Sequence, residues 1–274
     1  MKDNRDRIIT VLIVATLIFS LFTIYAYSAK IPEMKLSARS AVLYDLYNER
    51  FVFEKNENER LPMASTTKIM TAIVTVENTQ LDREVTVDDR AIGIEGSSIY
   101  LTKGETLTVE ALLYALMLRS ANDAAAALAY EISDSIEDFA LLMNDKARSL
   151  GLSDTNFDNP HGLDSENHYT TAHNLAIICA HAMKIPKLVE ICSTPKKEIV
   201  SSTQKRLLLN HNKLLSMYEG CIGIKTGYTK KSGRSLASAA TKGERTYICV
   251  TINAPDDWND HKKLYNYAFS NPYA

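Results

Sequence analysis

The chain has 274 residues, of which 46% are hydrophobic and 23% are charged, and its formal net charge is −2. Ten Gly and seven Pro are too few for a collagen-like or low-complexity chain, so we expect a globular protein with a sizeable core. The length permits one large domain or two small ones. No nucleic-acid partner is predicted, because proteins that bind nucleic acids usually carry a concentrated basic patch.

An uncharged segment follows the basic N-terminus. Residues 8–29 carry no charged side chain, and basic residues precede them at positions 2, 5 and 7. A helix over this segment would extend roughly 33 Å at about 1.5 Å per residue, which is enough to cross a bilayer core of about 30 Å. The alternative is a secretory signal peptide, whose apolar part usually has about 7–15 residues. We predict residues 1–30 as a transmembrane anchor or signal peptide and residues 31–274 as a domain outside the cytoplasm.

The cysteines and histidines do not form a metal-binding pattern. There is no CxxC pair among the four cysteines and no HExxH among the six histidines, so no metal or organic cofactor is expected. An exported chain could form one or two disulfides. Cys249 stands in the apolar run 247–250 and is expected to be a buried hydrophobic residue.

The hydrophobic pattern indicates strands near both ends of the exported part and helices between them. It predicts a hairpin from residues 41–44 and 50–53 and a helix from Ile69, followed by helices over residues 107–118, 123–132, 136–150 and 171–183. Residues 153–169 are polar and predict a functional loop. Strands over 197–200, 222–225, 234–241 and 245–253 precede a final helix over 256–269. This order predicts an α+β fold, with an antiparallel sheet built from both chain ends and packed against helices.

The segment 65–68 places a serine and a lysine three residues apart. On a helix, such positions lie on one face, so the Lys68 amine can reach the Ser65 hydroxyl. A serine hydroxyl is a weak nucleophile that needs a base, and a lysine can be that base where burial lowers its pKa. The alternative is an N-cap serine beside a solvated lysine.

Two further tripeptides become informative when their distance from Ser65 is considered. Ser120-Ala121-Asn122 begins 55 residues after Ser65, and Lys225-Thr226-Gly227 begins another 105 residues on. Alone, the first is also explained by a helix break and the second by a turn. In the second, Gly227 would lack the side chain that otherwise blocks a substrate lying alongside the strand.

The order and separation of the three motifs are typical of the penicillin-recognising serine enzymes. Their surroundings, residues 64–71, 118–125 and 223–229, resemble the low-molecular-mass D-alanyl-D-alanine carboxypeptidases, and residues 159–164 with 169–172 resemble that family's loop beside the active site. The resemblance covers roughly residues 33–270. It implies a β-lactamase/transpeptidase-like fold and an enzyme acting at the bacterial cell membrane on peptidoglycan stem peptides.

The resemblance also implies a role for each motif residue. Ser65 would attack the carbonyl between two terminal D-alanines, and Lys68 would take its proton. Ser120 would relay a proton to the leaving amine, and Asn122 would hold the substrate amide and the Lys68 side chain.

The third motif would bind the substrate. Lys225 would attract the terminal carboxylate, and Thr226 would donate a hydrogen bond to it beside Gly227. The backbone N–H groups of Ser65 and Tyr228 would form the oxyanion hole. A β-lactam antibiotic would mimic the substrate and stay attached to Ser65.

The sequence departs from the family in two respects. Many members carry a C-terminal β-rich domain and an amphipathic helix, which this sequence lacks, so the N-terminal segment is expected to supply the membrane attachment. Residues 233–236 read Gly-Arg-Ser-Leu, where relatives usually carry a more apolar strand start.

Two other functions share part of the motif set. A class A β-lactamase needs a deacylating Glu in an E-x-x-L-N context, and no such string occurs, since Glu166 lies in Asp-Ser-Glu-Asn-His. A non-catalytic β-lactam or muropeptide sensor should be joined to a signalling domain. The carboxypeptidase is therefore the favoured interpretation.

Overall fold

The computed structural model describes residues 10–16 and 34–271. Two compact units are present, Met1–Lys35 and Leu36–Ala274. In the first, residues 10–16 form helix α1. Most of the predicted anchor or signal segment lies outside the described residues, and the described helices include none of the length and apolar character that a membrane crossing requires. The division into residues 1–30 and 31–274 remains a prediction.

A five-stranded antiparallel sheet forms the backbone of the second unit. Its strands lie in the order β2-β1-β9-β8-β7, with the bounds β1 Ser40–Asp45, β2 Arg50–Lys55, β7 Cys221–Thr229, β8 Gly233–Lys242 and β9 Arg245–Ile252. The pairing of β1 with β9 joins strands from the two ends of this unit. The predicted hairpin and the predicted sheet are therefore confirmed.

The chain between β2 and β7 forms the helical region. Its helices are α2 Lys68–Asn78, α3 Val109–Leu118, α4 Asn122–Ile132, α5 Ile136–Ser149, α6 Ala172–Met183, α7 Pro186–Ser193 and α8 Leu214–Met217, and α9 Asp257–Ser270 ends the described part. Two small antiparallel sheets join β3 Glu84–Thr86 to β4 Thr106–Thr108, and β5 Lys196–Val200 to β6 Lys205–Leu209.

Helix α2 runs through the middle of the helical region. It packs against α3, α4, α5 and α6, and its residues 68–75 are all buried. A helix surrounded by other helices carries apolar residues on every face, which explains the run Ile-Met-Thr-Ala-Ile-Val. The first turn of α2 is therefore held rigidly at the edge of the core, where the Ser65 segment begins.

Helices cover both faces of the large sheet. Ile248 and Val250 belong to the core shared with the helical region. Successive strand residues point to opposite faces, so Ser238 and Thr251 face the other way and hydrogen-bond to His261 of α9. The sheet is thus the middle layer of the unit, and β7 is its edge strand beside the helical region.

Several elements differ from the sequence prediction. The helix predicted over residues 107–118 begins only at Val109, because Thr106–Thr108 pairs with β3 and the Thr108 hydroxyl caps the helix by accepting a hydrogen bond from the Ala111 N–H. Strand β3, helices α7 and α8 and strand β6 were not predicted. Pro186, at the first helical position of α7, is a helix-start signal. Lys205–Leu209 reads as an apolar run only in part and is stabilised by pairing with β5.

The thiols remain unpaired. All four cysteines are free, so no disulfide forms, and Cys249 is buried as predicted.

Candidate active site

The three sequence motifs meet at one cleft. Ser65, Ser120, Thr226, Gly227 and Tyr228 line a cavity of about 510 Å³. The remaining members of the predicted set, Lys68, Asn122 and Lys225, are buried. The fold therefore brings together all eight residues that the motifs singled out.

Ser65 lies on a tight turn at the start of α2. Residues Ala64–Thr67 form one turn of 3-10 helix that runs directly into Lys68. The Thr66 hydroxyl donates to the Met63 carbonyl at 2.6 Å, and the Thr67 hydroxyl donates to the Ala64 carbonyl at 2.8 Å. These bonds fix the turn while Ser65 itself remains only half-buried and faces the cleft.

The Lys68 amine contacts three oxygen atoms. Its Nζ lies 3.1 Å from Ser65 Oγ and 2.7 Å from Asn122 Oδ1, and it donates to the His161 carbonyl. The two carbonyl oxygens can only accept hydrogen bonds. A neutral amine has two N–H groups for them, which leaves its lone pair facing the Ser65 hydroxyl. This arrangement suits a general base acting on Ser65.

The electrostatic surroundings favour the neutral amine. Lys68 has 0% of its surface exposed. Burial, followed by the positive charge of Lys225, holds the pKa of Lys68 well below its ordinary value, and the Asp123 carboxylate opposes this shift only in part. The alternative of a solvated lysine beside an N-cap serine is therefore wrong.

Asn122 is held from both its backbone and its side chain. Its N–H donates to the Ser97 carbonyl at 2.7 Å, and its Nδ2 donates to the Glu95 carbonyl. These two bonds direct Oδ1 toward Lys68 and fix the amide orientation. Ser120, two residues earlier, has a positive φ of 59°, a conformation uncommon for a residue other than glycine and often found at functional sites.

A buried carboxylate organises the loop that precedes this motif. Asp123 accepts hydrogen bonds from the Ser98 hydroxyl, the Ile99 N–H and the Leu101 N–H. The sequence predicts Asp123 as the first residue of a helix or as a helix cap. The presence of an acidic residue directly after Asn122 was the sequence feature that could have indicated a polar partner for Asp123.

Strand β7 lies directly against the Ser65 turn. A Cβ atom on Gly227 would stand 3.2 Å from the Met63 carbonyl oxygen, from the Ala64 Cβ and from the Ser65 nitrogen. A side chain at position 227 would therefore crowd the Ser65 turn. Gly227 also lines the cleft, and the room it would leave for a substrate along the strand stays a prediction.

Lys225 is buried behind the surface of the cleft. It is 1% exposed, and its Nζ donates to the Thr226 carbonyl at 2.9 Å. Burial lowers the pKa of Lys225 to about 7. The Lys225 amine can therefore influence the cleft through its charge, from behind strand β7.

The polar loop after α5 completes the floor of the site. The Thr71 hydroxyl donates to the Pro160 carbonyl at 2.6 Å, and the next residue, His161, supplies the carbonyl that Lys68 contacts. Gly162 has a φ of +87°, and a Cβ there would overlap the Ala64 carbonyl oxygen at 2.1 Å. The polar composition of this loop predicts a function, whereas the His161 carbonyl could not be predicted, because a backbone atom leaves no residue-type signal.

Comparison with known proteins agrees with this geometry. The family described as peptidase S11, D-alanyl-D-alanine carboxypeptidase, matches residues 26–256. D-alanyl-D-alanine carboxypeptidase DacF of Bacillus subtilis is 36% identical over 247 residues, which is 87% of this chain and 64% of the relative. DacB2 of Mycobacterium tuberculosis is 31% identical over 246 residues, covering 86% of this chain and 84% of the relative.

Solved structures have the same fold. The DD-transpeptidase of Streptomyces K15 matches with a TM-score of 0.83 and 31% identity, over 88% of this chain and all of the other. A D-alanyl-D-alanine carboxypeptidase from Mycobacterium tuberculosis matches with a TM-score of 0.85 and 29% identity, over 90% of this chain and 96% of the other. On the motifs, the cleft geometry and these matches, the chain belongs to the D-alanyl-D-alanine carboxypeptidase family of serine peptidases.

Proposed function

We propose that this protein removes the terminal D-alanine from peptidoglycan stem peptides through an acyl-enzyme on Ser65. The observation that carries the proposal is the 3.1 Å contact between the buried Lys68 amine and the Ser65 hydroxyl, at the floor of the cleft. The family and its relatives support this substrate class over a class A β-lactamase or a non-catalytic sensor.

The first half of the reaction forms the acyl-enzyme. The Lys68 lone pair accepts the Ser65 proton as Oγ attacks the carbonyl carbon between the two D-alanines. Negative charge develops on the carbonyl oxygen, and the backbone N–H groups of Ser65 and Tyr228 stabilise it. The close packing of Gly227 against the Ser65 nitrogen supports this pairing of donors, because Tyr228 follows Gly227 in the strand.

The second half expels the amine and hydrolyses the ester. Ser120 passes the proton from Lys68 to the nitrogen of the leaving D-alanine as the C–N bond breaks. Asn122 holds the substrate amide and keeps the Lys68 amine in place. Thr226 donates to the terminal carboxylate, and Lys225 adds positive potential beneath the strand. A water molecule then attacks the Ser65 ester, giving the shortened peptide and free enzyme.

The same cleft would react with β-lactams. Ser65 would attack the strained amide of the antibiotic in place of the D-alanyl-D-alanine peptide bond. The β-lactam ring then opens, and the antibiotic stays bound to Ser65 as an ester. We place the enzyme at the extracytoplasmic face of the bacterial membrane, attached by residues 1–30 or released if that segment is cleaved. At this location the enzyme would have access to peptidoglycan.

The test is D-alanine release from a synthetic stem pentapeptide, followed by mass spectrometry. We expect the protein to shorten the pentapeptide by one D-alanine and Ser65→Ala to abolish the release. Release at the wild-type rate by Ser65→Ala would contradict the proposed nucleophile.

A further inference from the structure

We propose that Arg234 binds the free terminal carboxylate of the substrate and so determines the preference for peptides with a free C-terminus. This inference rests on the proposed function and assigns a specificity residue to it. Arg234 belongs to the polar strand start that the sequence analysis noted as a departure from the family. It lines the same cleft as Ser65 and Thr226.

The strand register puts Arg234 on the face that carries Thr226. Arg234 pairs with Tyr228 across β7 and β8, and Thr226 is two residues from Tyr228. Directly opposite residues and residues two apart share a face of the sheet, so all three side chains point to one side. Arg234 and Thr226 are diagonal neighbours, whose Cα atoms are typically about 7–8 Å apart. A carboxylate of ordinary size bridges this gap.

Lys225 lies on the opposite face of the same strand. Its amine is 1% exposed and is already bonded to the Thr226 carbonyl. Burial also lowers the pKa of Lys225 to about 7. The Arg234 guanidinium stays charged at any physiological pH, and its side chain is 43% exposed. A carboxylate that accepts from the Thr226 hydroxyl therefore meets Arg234 rather than Lys225.

Two residues from the start of α9 fix the guanidinium. Its Nη2 donates to Asp257 Oδ1 at 3.0 Å, and its Cζ lies 5.6 Å from the centre of the Trp258 ring. Asp257 is only 3% exposed, so it holds one edge of the guanidinium from within the protein. Arginine has five N–H donors in a planar fork, and the bond to Asp257 leaves the other edge for a two-point contact with a carboxylate.

The experiment compares two peptides that differ only in the group Arg234 would recognise. Diacetyl-L-lysyl-D-alanyl-D-alanine and its C-terminal amide are incubated with the wild-type protein and with Arg234→Gln, and kcat/KM is measured for each. We expect Arg234→Gln to lower the acid-to-amide ratio of kcat/KM about ten- to hundredfold, because one charge-assisted contact is lost. Arg234→Lys, which keeps the charge but not the fork, should give an intermediate ratio.

Lys213→Gln is the matched control, because Lys213 is an exposed cation at the same cleft. Its acid-to-amide ratio should equal that of the wild type. An unchanged ratio in Arg234→Gln, or a loss of selectivity in Lys213→Gln instead, would overturn the assignment. Hydrolysis of the amide by Arg234→Gln at the wild-type rate verifies that the variant folds. If the wild-type protein cleaves neither peptide, the proposed function itself fails.

Discussion

Lys68 is the residue on which the chemistry depends most. A lysine amine is a base only when it is neutral, and here two independent features favour that form, namely complete burial and the nearby charge of Lys225. The two carbonyl groups of Asn122 and His161 also fix the direction of its lone pair. The serine and lysine types could be read from the sequence, but this environment could not, because it comes from segments 54 and 93 residues away.

The pH dependence of acylation tests this point. The neutral amine is the active form, so the acylation rate should be at its plateau above the lowered pKa of Lys68 and fall as the pH drops through it. Lys225→Gln removes the neighbouring charge and should raise the pKa of Lys68, which moves the acidic limb of the profile to higher pH. The measurement is the rate of labelling by a fluorescent penicillin across pH. A limb that stays in place would show that Lys225 does not act on Lys68.

Replacing Lys68 by alanine tests its role as the base, provided that loss of activity is distinguished from loss of folding. Lys68→Ala should reduce the acylation rate about 10²–10⁴-fold, which is the usual contribution of general-base catalysis. The rate of labelling is measured together with the urea midpoint, and Lys184→Ala, which removes an exposed lysine on α6's C-terminal side, serves as the control. A loss below about tenfold in Lys68→Ala, roughly 1.4 kcal/mol in the barrier, would assign the base to another group.

At the scale of elements, the site depends on how α4 is joined to the loop before it. Asp123 in the first turn of α4 accepts hydrogen bonds from three groups of the 98–101 loop, while Asn122 bonds to the carbonyls of Glu95 and Ser97. Arg206 of β6 holds the other side of this loop by donating to the carbonyls of Ile99 and Tyr100. The position of Asn122 is thus set by a second element as well as by its own helix.

Asp123→Asn tests this coupling. The three loop donors share Oδ2, and Oδ1 also accepts from the Ala124 N–H. An amide has one acceptor oxygen and no charge, so a buried N–H loses its partner and the bonds to the loop are weakened. We expect the free energy of unfolding to fall by about 1–3 kcal/mol and the acylation rate to fall with it. Urea unfolding and penicillin labelling of the same preparation measure both. Stability that falls while acylation stays at the wild-type rate would mean that the loop does not position Asn122.

Some of the secondary-structure elements could be predicted from the sequence and others could not. The hairpin, the central helix and the three long C-terminal strands follow from apolar periodicity, and the structure has all of them. Residues 107 and 108 were included in a helix because the pairing of Thr106–Thr108 with β3 is a contact between distant residues. The same limit applies to the site, since the sequence identified Lys225 and Thr226 as neighbours but not that they face opposite sides of β7.

At the scale of the whole molecule, strands from both ends of the second unit form one sheet. Several histidines are buried between this sheet and the helices or beside the active-site turn. Burial lowers the pKa of His161 to about 3, of His168 to about 4 and of His261 to about 3. His261 bridges Ser238 of β8 and Thr251 of β9 to α9, and His168 bonds to the Thr67 hydroxyl beside the active-site turn. These three rings are neutral in the folded protein at neutral pH.

The stability of the fold should therefore decrease as the solution is acidified. The unfolded histidines bind protons near pH 6.5, while the folded ones remain neutral until about pH 3–4, so the unfolded state binds more protons within this window. Each ring contributes a slope of about 1.4 kcal/mol per pH unit there. Urea unfolding from pH 7 to pH 4 measures the total. A free energy of unfolding that stays level across this range would contradict the burial of these rings.

The most direct test of the account is to identify the residue that becomes acylated. The wild-type protein is treated with a labelled penicillin, digested and sequenced by mass spectrometry. Ser65, Ser97 and Ser120 all line the cleft and are all candidates for the label. We expect the label on Ser65 alone and no label in Lys68→Ala on the same time scale. A label on Ser97 or Ser120, or undiminished labelling of Ser65 without Lys68, would contradict it.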